Sequence, residues 1–355
     1  MKHTYLPYKQ GLYDPWYEHD SCGVGFICDI KGRKSNQIIR QGLEVLKRLS
    51  HRGATGADPK TGDGAGITIQ LPHEFLSKVC MHKKIKLPAE GRYGTGLVFL
   101  PSDEKGYNYC KKVFAAITKQ RGQEILGWRR VPVDNSEIGK SARDSEPLIE
   151  QPFLVSKKSV RDRLAFERQL YVTRKLIENE IRRGSASGRK PFFYITNLSS
   201  RTLSYKGLLM PGQLDKFFLD LNNDNLKSAL CLVHSRYSTN TFPTWDLAQP
   251  FRFIAHNGEI NTLRGNINWM RAREGILKSR LFGRDLKKIM PVIVPGGSDS
   301  AVIDNVFELL VLSGRSLPHV MMMLIPAAWE DNDFMDNKLK SFYNYHACFM
   351  EPWDG

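Results

Sequence analysis

The sequence predicts one compact α/β unit, and three observations carry this prediction. Strand-like and helix-like segments alternate along the 355 residues, as they do in folds that combine sheets with helices. No internal repeat, low-complexity tract or long flexible linker interrupts the alternation. The 41% share of hydrophobic residues is enough for a large buried core.

The predicted strands are short apolar runs rich in β-branched and aromatic residues. They occupy residues 22–30, 66–71, 93–100, 191–196, 229–234 and 251–255. Helical periodicity is clearest in residues 36–49, 113–119, 161–182, 262–277 and 298–312. The stretch 131–150 is polar and weakly periodic, which predicts an exposed loop or insertion.

The formal net charge of +15 would suit a nucleic-acid partner, because a basic surface attracts phosphates. The basic pairs are scattered, however, without interleaved aromatic repeats or a recognisable binding motif. We interpret the charge as a solvated surface or a docking face for an acidic partner, and expect no nucleic acid. No stretch approaches the roughly 20 apolar residues of a membrane span, and the N-terminus lacks a secretory signal. We therefore expect no membrane partner and a cytoplasmic location.

The six cysteines include no Cys-x-x-Cys pair and no tight Cys/His cluster. Neither a zinc site nor a disulfide framework is indicated, so reduced thiols and no bound metal are expected. Cys22 and Cys28 are six residues apart, an even spacing that puts both on one face of a strand. Core packing explains that spacing more simply than an iron ligand pair does.

Cys22 follows a short polar leader, residues 1–21, and begins the segment Cys-Gly-Val-Gly-Phe-Ile. Removal of the leader would give Cys22 both a thiol nucleophile and a free α-amino group. An α-amino group has a pKa of about 8 and is a base well matched to a thiol, whereas a peptide nitrogen cannot act as one. The alternative is a small buried hydrophobic residue on a first strand.

Two polar segments follow predicted apolar runs. In 234–239, Arg236 offers a planar fork of donors that suits a carboxylate, and Thr239 could add a hydroxyl donor. A structural salt bridge is the alternative for Arg236. In 256–260, the Asn257 side-chain amide and the Gly258 backbone N–H could converge on one developing negative charge, although Asn-Gly is also a strong hairpin signal.

Asp299 lies in the segment Gly-Gly-Ser-Asp-Ser that precedes an apolar run. It could bind a substrate ammonium, so that Arg236 and Asp299 together would hold both charges of an amino-acid backbone. The alternative is a helix N-cap at Ser298 or Asp299. The glycine-rich stretch 51–66 lacks the Gly-Lys-Ser/Thr sequence of a nucleotide-binding loop, so it favours tight turns near the nucleophile over a phosphate site.

Six segments, taken together and in order, resemble the class II glutamine amidotransferase domain of glutamate synthases. Order and spacing make the resemblance specific, and it covers nearly the whole chain. The segments are EHDSCGVGF at 18–26, HRG at 51–53, GDGAG at 62–66, HSRYST at 234–239, HNGEINT at 256–262 and MEPWDG at 350–355.

The resemblance implies an N-terminal-nucleophile hydrolase fold, with four αββα layers in which two stacked sheets lie between helices. It implies that 1–21 is a leader, or propeptide, and that 22–355 is the amidotransferase domain. Cys22 would attack the carboxamide of glutamine, release ammonia and form a glutamyl thioester that water hydrolyses.

The resemblance also implies the roles of the surrounding residues. Asn257 and Gly258 would hold the oxyanion. Arg236 and Thr239 would bind the α-carboxylate, and Asp299 the α-amino group. Arg52 matches a family arginine in the wall of the site.

Glutamate synthases continue into a synthase region that carries FMN and an iron–sulfur cluster. We expect none of FMN, iron–sulfur cluster or NADPH in this chain, which we interpret as a fragment, a truncated form or one product of a split gene. Its expected partners are glutamine and a synthase domain or subunit that receives the ammonia. Without that partner it would act at most as a glutaminase. The alternative function is a non-catalytic docking or binding module, or an inactive precursor that keeps its leader.

Overall fold

Two antiparallel sheets form the centre of the fold in the computed structural model, which describes residues 8–11, 14, 22–157, 160, 162–184, 190–238 and 241–354. The strands are β1 Val24–Cys28, β2 Ala65–Gln70, β3 Gly94–Thr95, β4 Val98–Leu100, β5 Gln123–Arg130, β6 Leu148–Ser156, β7 Tyr194–Ile195, β8 Thr202–Gly207 and β9 Leu230–Ser235. The first sheet has the order β1-β9-β2-β8. The second has the order β3-β6-β4-β7, with β5 also paired to β6.

The helices alternate with these strands along the chain. They are α1 Asn36–Arg48, α2 His73–His82, α3 Glu104–Gln120, α4 Lys140–Asp144, α5 Arg163–Arg183, α6 Leu214–Phe217, α7 Leu263–Glu274, α8 Asp299–Leu312, α9 Leu317–Leu324 and α10 Asn337–Ala347. Short 3-10 turns lie at Leu49–Arg52, Pro211–Gln213, Leu219–Asn222 and Gly283–Ile289. In the described residues, none of the helices has both the length and the apolar character needed to cross a membrane.

Helix α1 covers the first sheet at very short range. A Cβ atom on Gly42 would meet the Cys231 sulfur at 2.1 Å, so the helix backbone rests directly on β9. Polar contacts join the first sheet to the second, since the Lys206 ammonium of β8 donates to the Tyr194 hydroxyl of β7 over 3.1 Å. Buried apolar side chains of both sheets also belong to one core, so the two sheets are stacked.

Helices α3 and α5 cover the second sheet. The ring of Phe114 on α3 lies 4.8 Å from that of Trp128 on β5, and Leu170 on α5 fills the space above Gly94. Burial of each such large apolar side chain contributes roughly 1.5–3 kcal/mol to stability. With α1 on the opposite side, this arrangement confirms the αββα fold.

A separate cluster of buried apolar residues joins α5 to α7, α8 and α9. It includes Ile303 and Val306 on α8 and Trp353 near the end of the described chain. Helix α8 begins cleanly because the Ser298 side chain accepts a hydrogen bond from the Ala301 N–H. This cluster packs α8 against α5, α7 and α9.

Residues 251–255 are not a strand, which corrects the prediction made from their apolar run. The backbone N–H groups of Phe253 and Ile254 donate to the buried Asp304 carboxylate, over 2.8 and 3.1 Å, and so are not free for a neighbouring strand. The Arg252 guanidinium donates to Glu178 and to the Ile195 carbonyl. The segment is an irregular loop that these hydrogen bonds hold in place.

The predicted exposed loop 131–150 is also wrong. Val131, Ile138, Ala142 and Ile149 are buried in the main core, and the segment includes α4 and the start of β6. The apolar residues are spaced too irregularly to produce a periodic pattern. The core position expected for Cys28 is wrong as well, because its side chain is exposed.

Candidate active site

Cys22 lies immediately before β1, beside the end of β9. The Gly23 carbonyl accepts a hydrogen bond from the Ser235 N–H over 2.8 Å, and Val24 pairs with His234. The Cys22 thiol is free and exposed. The pairing of β1 with β9 therefore brings the nucleophile predicted near the N-terminus next to the segment that contains Arg236.

The side chain of Asn257 lies against Gly23, the residue that follows Cys22. A Cβ atom on Gly23 would lie 2.4 Å from the Ser235 carbonyl oxygen and 3.1 Å from both terminal atoms of the Asn257 amide. Any larger residue at position 23 would displace that amide. Gly258 has a φ of +103°, a conformation that favours glycine. The predicted hairpin is not present, since the described backbone around 257–258 connects no pair of strands.

The loop that carries Asn257 is held from several sides. The Gln249 side chain makes two hydrogen bonds to the backbone of His256. It accepts from the His256 N–H over 2.9 Å and donates to the His256 carbonyl over 3.0 Å. The His256 Nδ1 atom lies 2.8 Å from the Ser300 hydroxyl on α8. The Nε2 atom of His234 lies 2.7 Å from the Asn257 side-chain oxygen and 3.1 Å from the His256 carbonyl. The position of the Asn257 amide is thus set by packing and by hydrogen bonds.

Burial changes the acid–base behaviour of both histidines. His234 is almost fully buried, which lowers its pKa to about 4, although its bonds to Asn257 and His256 oppose the shift. Burial also lowers the pKa of His256, against the opposing charge of Asp299. Both imidazoles are therefore favoured in the neutral form near neutral pH.

The lowered pKa of His234 predicts a pH dependence of stability. The ordinary pKa of histidine is 6.5, so the unfolded chain binds this proton more tightly than the folded one. Stability from the neutral imidazole is fully present above about pH 6.5 and is lost as the pH falls towards 4. When the pH is lowered from 7 to 5, the free energy of unfolding should fall in both proteins. The fall should be about 2 kcal/mol smaller in His234→Gln than in the wild type. Urea denaturation at both pH values measures this difference, and equal losses in the two proteins would contradict it.

Arg236 is buried at the inner wall of the site. Its guanidinium donates to the Asp63 carbonyl and to the Thr241 hydroxyl, over 3.4 and 2.8 Å. Burial lowers the pKa of Arg236, and the charges of Asp63, Asp246 and Asp299 oppose that shift. The salt-bridge alternative finds no support in the described residues, where Arg236 has neutral hydrogen-bond partners.

Asp299 is the first residue of α8 and is half-buried. One carboxylate oxygen accepts from the Ile260 N–H over 3.0 Å, and the other accepts from the Ser300 N–H over 2.6 Å. The predicted N-cap exists, but Ser298 provides it. Asp299 therefore links the first turn of α8 to the loop that carries Asn257.

An open cleft of about 680 Å³ brings five predicted site residues together. Its lining includes Arg52, Arg236, Asn257, Gly258 and Asp299. The Nε atom of Arg52 is buried and has no hydrogen-bond partner in the described part of the chain. Thr239 lies outside the described residues, as does Ser21, so neither the predicted hydroxyl donor nor the predicted cleavage bond is part of this geometry. The lining thus contains two arginines and a carboxylate, and Asn257, which lies against Gly23, is part of it. Cys22 itself is not among the described residues that line the cleft.

The glycine-rich stretch supports the site as tight turns. The Arg236 N–H donates to the Gly64 carbonyl over 2.9 Å, and the Ser238 N–H donates to the Asp63 carboxylate over 2.6 Å. These bonds fix the backbone on both sides of Arg236. Across the described residues, no group of three or more His, Cys, Asp and Glu side chains is arranged to hold a metal ion.

Sequence reasoning assigned no role to His234, Gln249 or Ser300, which position the Asn257 loop. His234 stood within a segment already singled out, and its position near the end of the predicted strand, two residues before Arg236, was the available signal. Ser300 also lay within a segment singled out in the sequence, but nothing there indicated its contact with the His256 ring, 44 positions away. Nothing near Gln249 indicated its bonds to the His256 backbone, seven positions further on.

The fold and the cleft together define a class of protein, and comparison with known families agrees. Residues 22–355 match the family of class-II glutamine amidotransferases, so the chain belongs to this family.

Its relatives include large chains of glutamate synthases. The chain is similar to the glutamate synthase [NADPH] large chain of Bacillus subtilis, with 49% identity over 100% of this chain and 23% of the relative. It is also similar to the glutamate synthase [NADH] of Schizosaccharomyces pombe, with 48% identity over 99% of this chain and 17% of the relative. It is 40% identical to the ferredoxin-dependent glutamate synthase of Pyropia yezoensis, over 95% of this chain and 22% of the relative. The chain thus spans less than a quarter of the length of these relatives.

Proposed function

We propose that this chain hydrolyses glutamine to glutamate and ammonia through a thioester on Cys22. One observation carries the proposal. The Asn257 amide lies against the residue that follows Cys22, at a cleft that also holds a buried arginine and a carboxylate. A nucleophile, an oxyanion donor and two opposite charges are the groups that hydrolysis of an amino-acid amide requires.

In the proposed first step, the free α-amino group of Cys22 takes the thiol proton and the thiolate attacks the side-chain carbonyl carbon of glutamine. Negative charge develops on the carbonyl oxygen, where the Asn257 amide and the Gly258 N–H donate to it. The protonated amine then gives its proton to the leaving nitrogen, which departs as ammonia. Water attacks the resulting thioester, with the amine again as base, and releases glutamate and the thiol.

Recognition of the substrate follows from the charged residues of the cleft. Arg236 binds the α-carboxylate with its planar fork of donors, and Asp299 binds the α-ammonium. Thr239 adds a hydroxyl to the carboxylate, and Arg52 contributes positive charge to the wall. This pair of contacts selects a free α-amino acid over a peptide or a simple amide, because those compounds lack one or both charges.

Three further proposals concern the context of this reaction. Residues 1–21 form a leader whose removal frees the Cys22 amine, and the family match beginning at residue 22 supports this. The ammonia passes to a synthase domain or subunit, as the names of the relatives suggest. This chain acts in the cytoplasm and holds none of FMN, iron–sulfur cluster or NADPH.

Asn257→Ala should lower kcat for glutamine hydrolysis by about 100- to 1000-fold with little change in KM, because it removes a donor that acts mainly in the transition state. Glutamate release at varied glutamine concentration measures both constants. Asn108→Ala, at an exposed position on α3, is the matched control and should resemble the wild type. A rise in KM at constant kcat would assign Asn257 to substrate binding instead.

Arg236→Lys should raise KM for glutamine by about 10- to 100-fold, because a lysine keeps the charge but loses the two-point contact with a carboxylate. Arg271→Lys, at an exposed position on α7, is the control. A glutamine analogue without its α-carboxylate makes the test specific, since it should bind the Arg236→Lys variant and the wild type equally weakly. If the Arg236→Lys variant bound the analogue more weakly than the wild type does, the assignment of Arg236 to the α-carboxylate would be contradicted.

A non-catalytic docking module that keeps its leader remains the second candidate. It predicts an intact N-terminus in mature material and no reaction of Cys22 with an electrophilic glutamine analogue. Intact mass before and after treatment with such an analogue distinguishes the two functions.

A further inference from the structure

His234 is the residue that contacts the Asn257 side chain from inside the fold. It is 1% exposed on β9 and pairs with Val24 of β1 and Gly66 of β2. Its Nε2 atom lies 2.7 Å from the Asn257 side-chain oxygen and 3.1 Å from the His256 carbonyl oxygen.

The contact with His256 determines which ring nitrogen carries the proton. A backbone carbonyl oxygen can only accept a hydrogen bond, so Nε2 must be the donor. The other nitrogen, Nδ1, is buried and has no hydrogen-bond partner in the described residues. The carbonyl itself is held in place by Gln249, which donates to it over 3.0 Å. The neutral Nε2–H tautomer is therefore the form that fits this environment.

The same proton determines how the Asn257 amide is turned. Because Nε2–H donates, the atom of Asn257 that faces it must be the side-chain oxygen and not the nitrogen. The amide nitrogen then points to the other side of the group. That is the orientation in which Asn257 can donate to an oxygen atom in the cleft.

We propose that His234 is a positioning residue that holds the Asn257 amide with its N–H groups directed to the reacting carbonyl oxygen. The inference rests on the proposed function, since it concerns the same oxyanion. Without the Nε2–H donor, the amide can rotate by half a turn and present its oxygen to the developing charge. An oxygen atom there would repel the oxyanion instead of stabilising it.

Two variants separate positioning from simple packing. His234→Leu fills much of the space but has no donor, whereas His234→Gln places a side-chain N–H near the position of Nε2. We expect His234→Leu to lower kcat by about 100-fold with KM within about threefold of the wild type, and His234→Gln to recover most of that loss. All variants are made in the full chain, and intact mass shows the N-terminus of each preparation.

Imidazole nitrogen NMR of the wild type provides a readout that does not depend on activity. The expected result is a neutral His234 with its proton on Nε2 from pH 6 to pH 8. A proton on Nδ1 would overturn the inference, as would equal kcat values for His234→Leu and His234→Gln. Alkylation of Cys22 by iodoacetamide, which does not depend on the oxyanion donors, should proceed at equal rates in all three proteins and shows that the nucleophile is intact.

The experiment also distinguishes this inference from the function on which it rests. If the wild type, with Cys22 at its N-terminus, releases no glutamate, the proposed function fails, and the NMR result alone decides the state of His234. If the wild type is active and the leucine variant is equally active, the proposed function stands and the role of His234 is wrong.

Discussion

Cys22→Ala is expected to abolish glutamine hydrolysis. In the proposed mechanism the Cys22 sulfur forms the covalent bond to the substrate. None of the other cysteines is among the described residues that line the cleft, and Cys22 precedes Gly23, the residue beside the Asn257 amide. Loss of a covalent nucleophile lowers kcat by up to about 10⁶-fold in a well-studied hydrolase. A fall of several orders of magnitude is therefore expected, measured as glutamate release over long incubation.

Cys28→Ala is a well-matched control for this substitution. Cys28 is also a free and exposed cysteine, and it ends the strand that follows Cys22. The control should retain wild-type activity and denature at the same urea concentration. If Cys22→Ala kept its activity, or if Cys28→Ala lost it, the thioester would have to form on another group.

A single glycine inserted before Cys22 is expected to be the second most damaging change. The insertion leaves the thiol in place but turns its α-nitrogen into a peptide nitrogen, which cannot act as a base. A positioned general acid and base contributes about 100- to 10,000-fold to a rate, so kcat should fall by a factor in this range.

The comparison requires proteins with a defined first residue. One begins at Cys22, one at the inserted glycine, and the third is the chain with residues 1–21 retained; intact mass verifies each start. The second and third should be similarly inactive, while their thiols should still react with iodoacetamide. Full activity of the glycine variant would show that another group, and not the α-amine, serves as the base.

The fold was predictable where local pattern and environment agree. Helix α1 and strand β9 have continuous apolar faces, and their observed bounds differ from the predicted ones by one residue. Strand β5 was missed because its charged residues suggested a surface segment. Arg129 is in fact buried and pairs with Asp220, a partner 91 positions away that no local pattern reveals. Long-range pairing of charges in the core thus limits sequence-based prediction of this fold.

The residue types of the candidate site could also be predicted from the sequence, whereas their arrangement in space could not. Cys22, Arg236, Asn257 and Asp299 could be chosen by chemical type and by their positions next to apolar runs. The elements that carry them meet through the pairing of β1 with β9 and the cluster around α8, which the sequence does not show directly. The position of His234 beside Asn257 depends on both features, and so it became visible only in three dimensions.

The central claim is that Cys22, at a free N-terminus, forms a glutamyl thioester. Rapid acid quenching after glutamine is added, followed by mass spectrometry of the N-terminal peptide, tests it most directly. The account predicts a glutamyl adduct on the peptide that begins at Cys22, absent in Cys22→Ala and discharged by hydroxylamine. Glutamine hydrolysis without such an adduct, or with an adduct on a different cysteine, would contradict the account.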